Sequence, residues 1–156
     1  LLNYKMKKVL ILYPNLHMML VPSVAVGIIT KIAKDKGLEV NLFDTTEYEH
    51  ESTTSAEKRV ESLQYRPFDP ETDVQWKNIP GKKLIPDFQS RVKSFKPDII
   101  LVSVVEDTFL QAVKLLESIK HLKIPNILGG VFPTASPEKP LSRSLLTWLQ
   151  LERAKI

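Results

Sequence analysis

Short apolar runs alternate with amphipathic stretches along most of this chain. Residues 9–12 (Val-Leu-Ile-Leu) and the nearly continuous run 99–105 are typical of strands buried on both faces of a parallel sheet. Residues 126–128 predict a further short strand. Residues 38–43 alternate apolar and polar positions, which predicts a strand near the edge of the sheet with one solvated face.

Three amphipathic stretches between these strands predict helices that cover the sheet. The first opens at the capping residue Ser23 and ends at Gly37, which suits a left-handed C-terminal cap. The second begins near Pro86, and the third is expected to open at Thr108. The predicted inward faces are Val24, Ile28 and Ile32 in the first helix, Phe88, Val92 and Phe95 in the second, and Phe109, Ala112, Val113, Leu116 and Ile119 in the third.

This alternation of strand and helix predicts a doubly wound α/β fold, flavodoxin-like and Rossmann-type, with a parallel sheet whose order begins 2-1-3-4. We expect one domain over residues 6–156, with residues 1–5 as an extension ahead of a natural start at Met6. The polar, proline-punctuated stretch 45–83 is interpreted as an irregular insertion. Residues 131–136 are expected to be a loop, with another possible helix from Pro137. Residues 142–156 are amphipathic, and no fifth strand is expected after them.

Composition narrows the chemistry. A 43% hydrophobic and 26% charged chain of 156 residues is typical of a soluble globular protein, and no apolar run is long enough to cross a bilayer. The chain has no Cys, which excludes disulfides, Cys nucleophiles and iron–sulfur ligation within it and is compatible with the cytoplasm. The net charge of +4 comes from scattered Lys and Arg with interleaved acids, so no nucleic-acid surface is predicted.

Ligands of doubly wound sheets lie at the carboxyl ends of the strands, which here selects the loops 13–23, 103–108 and 129–136. The first loop lacks the glycine patterns of dinucleotide and P-loop sites. A receiver domain would carry an acid where this chain has Ser103. We see no catalytic triad and no three-residue metal site, and so expect neither catalytic nor metal-ligating residues.

Several residues of these loops have more than one interpretation. Ser103 is suited to hydrogen-bonding a ligand or to satisfying a loop backbone group. The pair Gly129 and Gly130 lets the backbone approach a bulky flat ligand, and tight turning alone also selects glycine. His17 is a candidate ligand or base, although its apolar neighbours favour a packed loop. Glu106 is a candidate acid or base, and a place at a helix start is the plainer explanation.

Three segments in the same order carry a family resemblance. The first strand and helix of one known family are similar to residues 6–15 and 22–27 of this chain. The ends of that family's third and fourth strands are similar to residues 96–103 and 128–134. The chain resembles the cobalamin (B12)-binding domain found at the N-terminus of many radical S-adenosylmethionine (radical SAM) enzymes.

This resemblance implies a corrin ring against the edge of the sheet, with Ser103, Val105 and the glycine-rich segment near its nucleotide tail. Family members that ligate cobalt through histidine carry Asp-x-His-x-x-Gly, where this chain has Asn15, His17 and Leu20. Because the acid and the glycine are replaced, we expect that His17 does not ligate cobalt. The cofactor-binding residues expected from the resemblance and from loop position are Asn15, His17, Ser103, Val105, Glu106, Gly129, Gly130 and Thr134.

The implied function is a cobalamin-binding module, the N-terminal part of a methyltransferase-like radical SAM enzyme, that is not catalytic alone. Its partners would be the small-molecule cofactor and a downstream radical SAM domain, which would hold the iron–sulfur cluster and SAM. Any metal binding would then be that of the cofactor's cobalt. Two alternatives stay open: a degenerate module of the same fold that serves in docking or structure, and a flavodoxin-like domain for another cofactor or nucleotide.

Overall fold

The computed structural model describes residues 7–17, 23–49, 79–138 and 148–149. It contains a five-stranded parallel sheet, flanked by helices, with the order β2-β1-β3-β4-β5. The strands are β1 Lys8–Tyr13, β2 Glu39–Asp44, β3 Ile99–Ser103, β4 Asn126–Gly129 and β5 Trp148–Leu149; the helices are α1 Val24–Asp35, α2 Leu84–Phe95, α3 Glu106–Ser118 and α4 Val131–Ala135. The predicted doubly wound α/β fold and the 2-1-3-4 strand order are confirmed.

Strand β1 lies inside the sheet between β2 and β3, and its four apolar residues are buried because strands pair on both sides and helices cover both faces. The parallel register matches Tyr13 of β1 with Asp44 of β2, and Ser103 of β3 with Gly129 of β4. The carboxyl ends of these strands therefore lie along one edge, where their following loops emerge.

One face of the sheet carries the larger core, formed with α2 and α3. Phe88, Val92 and Phe95 of α2 are all buried, as the helical spacing predicted, and the Phe88 ring meets the Phe43 ring of β2 edge-on at 5.1 Å between centroids. The predicted inward face of α3 is likewise buried: Phe109, Ala112 and Val113, with Leu116 and, just beyond the helix, Ile119.

The other face is covered by α1, but not through the predicted residues. Val24, Ile28 and Ile32 are 76%, 55% and 51% exposed, and α1 instead contacts Val9 and Ile11 of β1 through a different row that contains Val26 and Ile29. Because α1 is apolar around much of its surface, its periodicity alone could not separate the two rows. Ala33, which lies on the same row, is also buried.

The ends of α1 agree with the sequence. Ser23 is the N-cap, with its hydroxyl accepting from the Val26 N–H at 3.3 Å, and Gly37 follows the helix with a positive φ of 74°.

None of the helices among the described residues is long and apolar enough to cross a membrane.

Two other elements differ from the prediction. Helix α3 begins at Glu106 with Val105 as its N-cap, and Thr108 stands at the third helical position, where its Oγ1 accepts from the Val105 N–H at 3.2 Å. Residues 131–135, expected as a loop, form the short helix α4. Most of the helix expected after Pro137 lies outside the described residues.

A short fifth strand is present where none was expected. Trp148 and Leu149 pair in parallel with Ile127 and Leu128 of β4. A strand of two residues is too short to show period-two alternation, so the sequence pattern did not predict it.

Of the predicted insertion 45–83, only the two ends are described, and they are joined by a bridge between Tyr48 and Ile79.

Candidate functional site

The loops predicted to form a ligand site are brought to one edge of the sheet. The loop after β3 meets the end of β4 directly, because the Val104 N–H donates to the Gly129 carbonyl at 3.0 Å. The loop after β1 meets the loop after β2, where the Asn15 N–H donates to Thr45 Oγ1 at 2.8 Å. The edge is therefore built from two pairs of joined loops.

An apolar pocket of about 210 Å³ lies beneath this edge, between α1 and the sheet. Strand side chains form its floor, and Ala25 and Ile29 of α1 form one wall. Its lining residues are Ile11, Ala25, Ile29, Leu101, Val102, Ser103, Ile127, Gly129 and Gly130. Three of the residues predicted to bind a cofactor, Ser103, Gly129 and Gly130, thus come together at one end of a single pocket.

Gly130 has a conformational reason to be glycine. Its φ is 111°, and a Cβ built on it would lie 2.5 Å from the Val104 carbonyl oxygen. Side chains rarely adopt this backbone region, and the space is already filled by the neighbouring loop. Of the two interpretations of the glycine pair, the geometry of Gly130 supports tight turning of the chain, and approach to a flat ligand stays a prediction.

The rim of the edge presents apolar side chains to solvent. Val105 is 50% exposed and Val131 is 75% exposed, each in the first residues after a strand. Beneath them the rings of Phe109 and Phe132 pack at 5.0 Å between centroids. Thr134 anchors α4 at this rim, because its hydroxyl donates to the Gly130 carbonyl at 3.0 Å. Val131 was not among the predicted site residues, although an apolar residue directly after Gly-Gly was a usable signal.

Asn15 is buried, and its side chain joins the first two loops. Its amide nitrogen donates to Thr46 Oγ1 at 2.8 Å, and its amide oxygen accepts from the Leu16 N–H at 3.0 Å. Thr45 is fully buried beside it and can donate to Gln111 Oε1 at 3.1 Å. Asn15 thus organises the loop, while Thr45 and Gln111 are supporting residues that sequence reasoning missed.

His17 and Glu106 stand at the edge without lining the described part of the pocket. His17 is half-buried at the end of the first described segment, and Glu106 is exposed in the first turn of α3. A carboxylate at that position interacts favourably with the N-terminal end of the helix dipole. Across residues 7–17, 23–49 and 79–138, no three His, Asp or Glu side chains group closely enough to hold a metal ion.

Tyr13 is a polar group near the pocket that the sequence analysis overlooked. It ends β1 and packs on the same face as Ile11. Burial raises the pKa of the Tyr13 phenol and the negative charge of Asp44 raises it further, while a hydrogen bond with the Ser23 side chain lowers it. The net shift is upward, so the phenol stays a neutral hydrogen-bond donor. Period-two alternation from Ile11 would have placed it on this face.

The fold has a counterpart among solved structures. The radical S-adenosylmethionine methyltransferase TsrM from Kitasatospora setae, with tryptophan substrate and a SAM analogue bound, matches this chain with a TM-score of 0.52 and 15% sequence identity. The chain shares its fold with part of a radical SAM methyltransferase. The match covers 84% of this chain and 20% of TsrM, so the chain spans about a fifth of that protein's length. No protein-family model and no curated protein matches the chain.

Proposed function

We propose that this chain is a cobalamin-binding module. The observation that carries the proposal is the apolar pocket of about 210 Å³ between α1 and the sheet, which ends at Ser103, Gly129 and Gly130. Ligand pockets are mostly apolar with a few placed polar groups, and those of doubly wound sheets lie at this edge. The shared fold with part of a radical SAM methyltransferase supports the same function.

The residues present fit a large cofactor with a planar nucleotide base. The pocket offers apolar walls for a base and the Ser103 hydroxyl at its polar end. The exposed Val105 and Val131 side chains offer an apolar ledge for a wide ring system outside it. Bound cobalamin would supply a cobalt centre suited to carrying a methyl group. The role of this chain would be to hold and orient the cofactor and to keep water from its buried face.

His17 is assigned a place near the cofactor but not a bond to cobalt. The residue that would orient its imidazole is Asn15, whose amide oxygen accepts from the Leu16 N–H. An amide is a weaker orienting partner for an imidazole than a carboxylate. The expected result is that His17→Ala leaves the visible spectrum of the protein-bound cofactor unchanged, whereas a shifted axial-ligand band would contradict this assignment.

The test is retention of hydroxocobalamin by the full chain after desalting, read from the visible spectrum. Ala25→Phe fills the mouth of the pocket from an exposed helix position, so the protein should fold and lose the cofactor. Lys34→Phe is the matched control, because Lys34 is exposed on the same helix and does not line the pocket. Failure of the unmodified protein to retain the cofactor, or equal loss in both variants, would refute the proposal.

A larger assembly follows from the same proposal. Because the chain has no Cys, a radical SAM iron–sulfur cluster and its SAM would belong to a separate downstream domain. A reading frame that continues past Ile156 into Cys-x-x-x-Cys-x-x-Cys would support this arrangement. A neighbouring gene region without any such motif would count against it.

A docking or structural module is the second candidate function. The exposed apolar row Val24, Ile28 and Ile32 on α1 favours it, since such rows commonly meet another surface. A chain that retains no hydroxocobalamin, but whose self-association or partner binding is lost in Ile28→Ser, would favour this second function.

A further inference from the structure

A second groove lies at the opposite, amino edge of the sheet. It has a volume of about 740 Å³ and runs between the end of α2, the turn Lys120–Leu122 after α3, and the segment that leads into β3. Gln89 of α2 donates to the Ser118 carbonyl at 3.0 Å and ties the two helices together beside it. The lining residues are Gln89, Val92, Lys93, Lys96, Pro97, Asp98, Ile119, His121, Leu122 and Ile124.

The groove combines an apolar floor with a basic rim. Val92 and Ile119 are buried at its floor, and Leu122 is 45% exposed, which leaves apolar surface open to solvent. Lys93 and Lys96 stand on one side, and His121 stands on the other between Lys120 and Lys123 in sequence. Such a surface suits a ligand that is both apolar and acidic.

Two of these lysines occupy backbone positions that favour glycine. Lys96 and Lys123 both have φ of 52°, and they are the non-glycine residues with positive φ among those that the structure describes. A left-handed backbone brings the Cβ of an L-residue close to the following carbonyl, whereas glycine adopts it freely. A lysine side chain therefore stands at each of two left-handed positions. Lys96 is in the rim, and Lys123 lies in sequence between the lining residues Leu122 and Ile124. Both residues stand directly after a helical turn, where a left-handed residue commonly ends the helix.

The described lining of the groove carries one acid, Asp98, against Lys93 and Lys96, so its charge is net positive. The carboxylate of Asp98 accepts from the backbone N–H groups of Lys7 and Lys8 at 2.7 and 2.9 Å, which holds it at the start of β1. Within the described parts of the chain, neither Lys96 nor Lys123 forms an ion pair. Lysines at helix C-termini also favour the helix dipole, but that interaction requires neither the left-handed backbone nor the open apolar floor.

We propose that this groove binds an acidic peptide segment that carries apolar residues. The floor takes an apolar side chain and the lysines take carboxylates on either side. The groove is open to solvent and not an enclosed cavity, which favours an extended chain over a small molecule. This surface is independent of the cobalamin proposal, because it lies at the other end of the strands.

The experiment is fluorescence anisotropy of the full chain with the labelled peptide Glu-Leu-Glu-Glu-Leu-Glu. We expect saturable binding that weakens as salt rises and is absent for the peptide with Gln in place of Glu. The double variant Lys96→Gln and Lys123→Gln should weaken binding about fivefold. The matched control, Lys34→Gln and Lys36→Gln, removes the same charge from the exposed end of α1 and should leave binding unchanged.

Three results would overturn the proposal: no saturable binding at millimolar protein, equal weakening by both double variants, or complete displacement of the peptide by octanoate, which would make the groove a small-molecule site. Thermal unfolding of each variant checks that it folds. Leu122→Gln, at an exposed floor position, provides a second route and should also weaken binding. Retained hydroxocobalamin binding in these variants separates this surface from the site at the opposite edge.

Discussion

Substitution of Gly130 by alanine should be among the most costly small changes at the edge of the sheet. Gly130 links β4 to α4 with φ of 111° and ψ of −176°, a backbone region that is essentially restricted to glycine. The added Cβ would lie 2.5 Å from the Val104 carbonyl oxygen and 3.1 Å from the Val104 nitrogen. Since both neighbours are backbone atoms, neither can rotate away.

The magnitude follows from two contributions. The unfavourable φ and ψ cost about 1–3 kcal/mol. Relief of the close approach requires a shift of the loop after β3, which costs about another 1–3 kcal/mol as overpacking does. Together they predict a loss of about 4 kcal/mol in the free energy of unfolding, or a Tm lower by about 12 °C for a chain of this size.

Urea unfolding followed by circular dichroism measures this loss, and Gly27→Ala is the matched control. Gly27 lies exposed within α1, and its added Cβ would meet nothing within 4 Å. Alanine there should raise the free energy of unfolding by about 0.5–1 kcal/mol. If Gly130→Ala unfolds within about 0.5 kcal/mol of the unmodified protein, the close approach is not a constraint and the reasoning is wrong.

Three further substitutions test the packing around the sheet. Tyr48 donates to Asp87 Oδ2 at 3.0 Å, and burial together with this bond raises the pKa of its phenol to about 12. Its contribution to the free energy of unfolding is therefore fully present below about pH 10 and is lost as the pH rises toward 12. Tyr48→Phe should flatten that alkaline decline in urea titrations at each pH, and an unchanged decline would contradict the assignment. Lys96→Gly should raise the free energy of unfolding by about 1 kcal/mol by relieving its φ of 52°, and a decrease would refute the strain. Thr45→Val should lower the free energy of unfolding by about 1–3 kcal/mol, because the buried Asn15 N–H would lose its acceptor. Thr45→Ser keeps a hydroxyl and should be closer in stability to the unmodified protein. Equal stabilities of the two variants would exclude this role of Thr45.

The sheet and two of its helices were readable from sequence because burial there is continuous or strictly periodic. Residues 9–12 and the run from Ile99 contain almost no polar residues, and Phe88, Val92 and Phe95 leave one possible inward face. Helix α1 carries Val or Ile on several rows, so spacing did not identify the row that contacts the sheet. That choice depends on the strand side chains beneath the helix, which a local pattern does not contain.

The loops of the site could be located from sequence, but their internal bonding could not. The switch-point rule selected the edge at which the predicted loops meet, because it depends only on strand order. The role of Asn15 arises from Thr45 and Thr46, which stand some thirty residues away in sequence. The start of α3 was misplaced because Thr108 and Gln111 have the spacing of a capping box. In the structure Thr108 is the third residue of the helix, and its hydroxyl accepts from the Val105 N–H upstream.

The most direct test of the cobalamin proposal is an isoleucine-methyl NMR titration of the full chain with hydroxocobalamin. Ile11, Ile29 and Ile127 line the pocket beneath the carboxyl edge, whereas Ile119 and Ile124 line the groove at the amino edge. Cobalamin bound in this pocket should give saturable shifts of the first three methyl groups and leave the other two unchanged. No shift at Ile11, Ile29 and Ile127 at saturating cofactor, or shifts confined to Ile119 and Ile124, would contradict it.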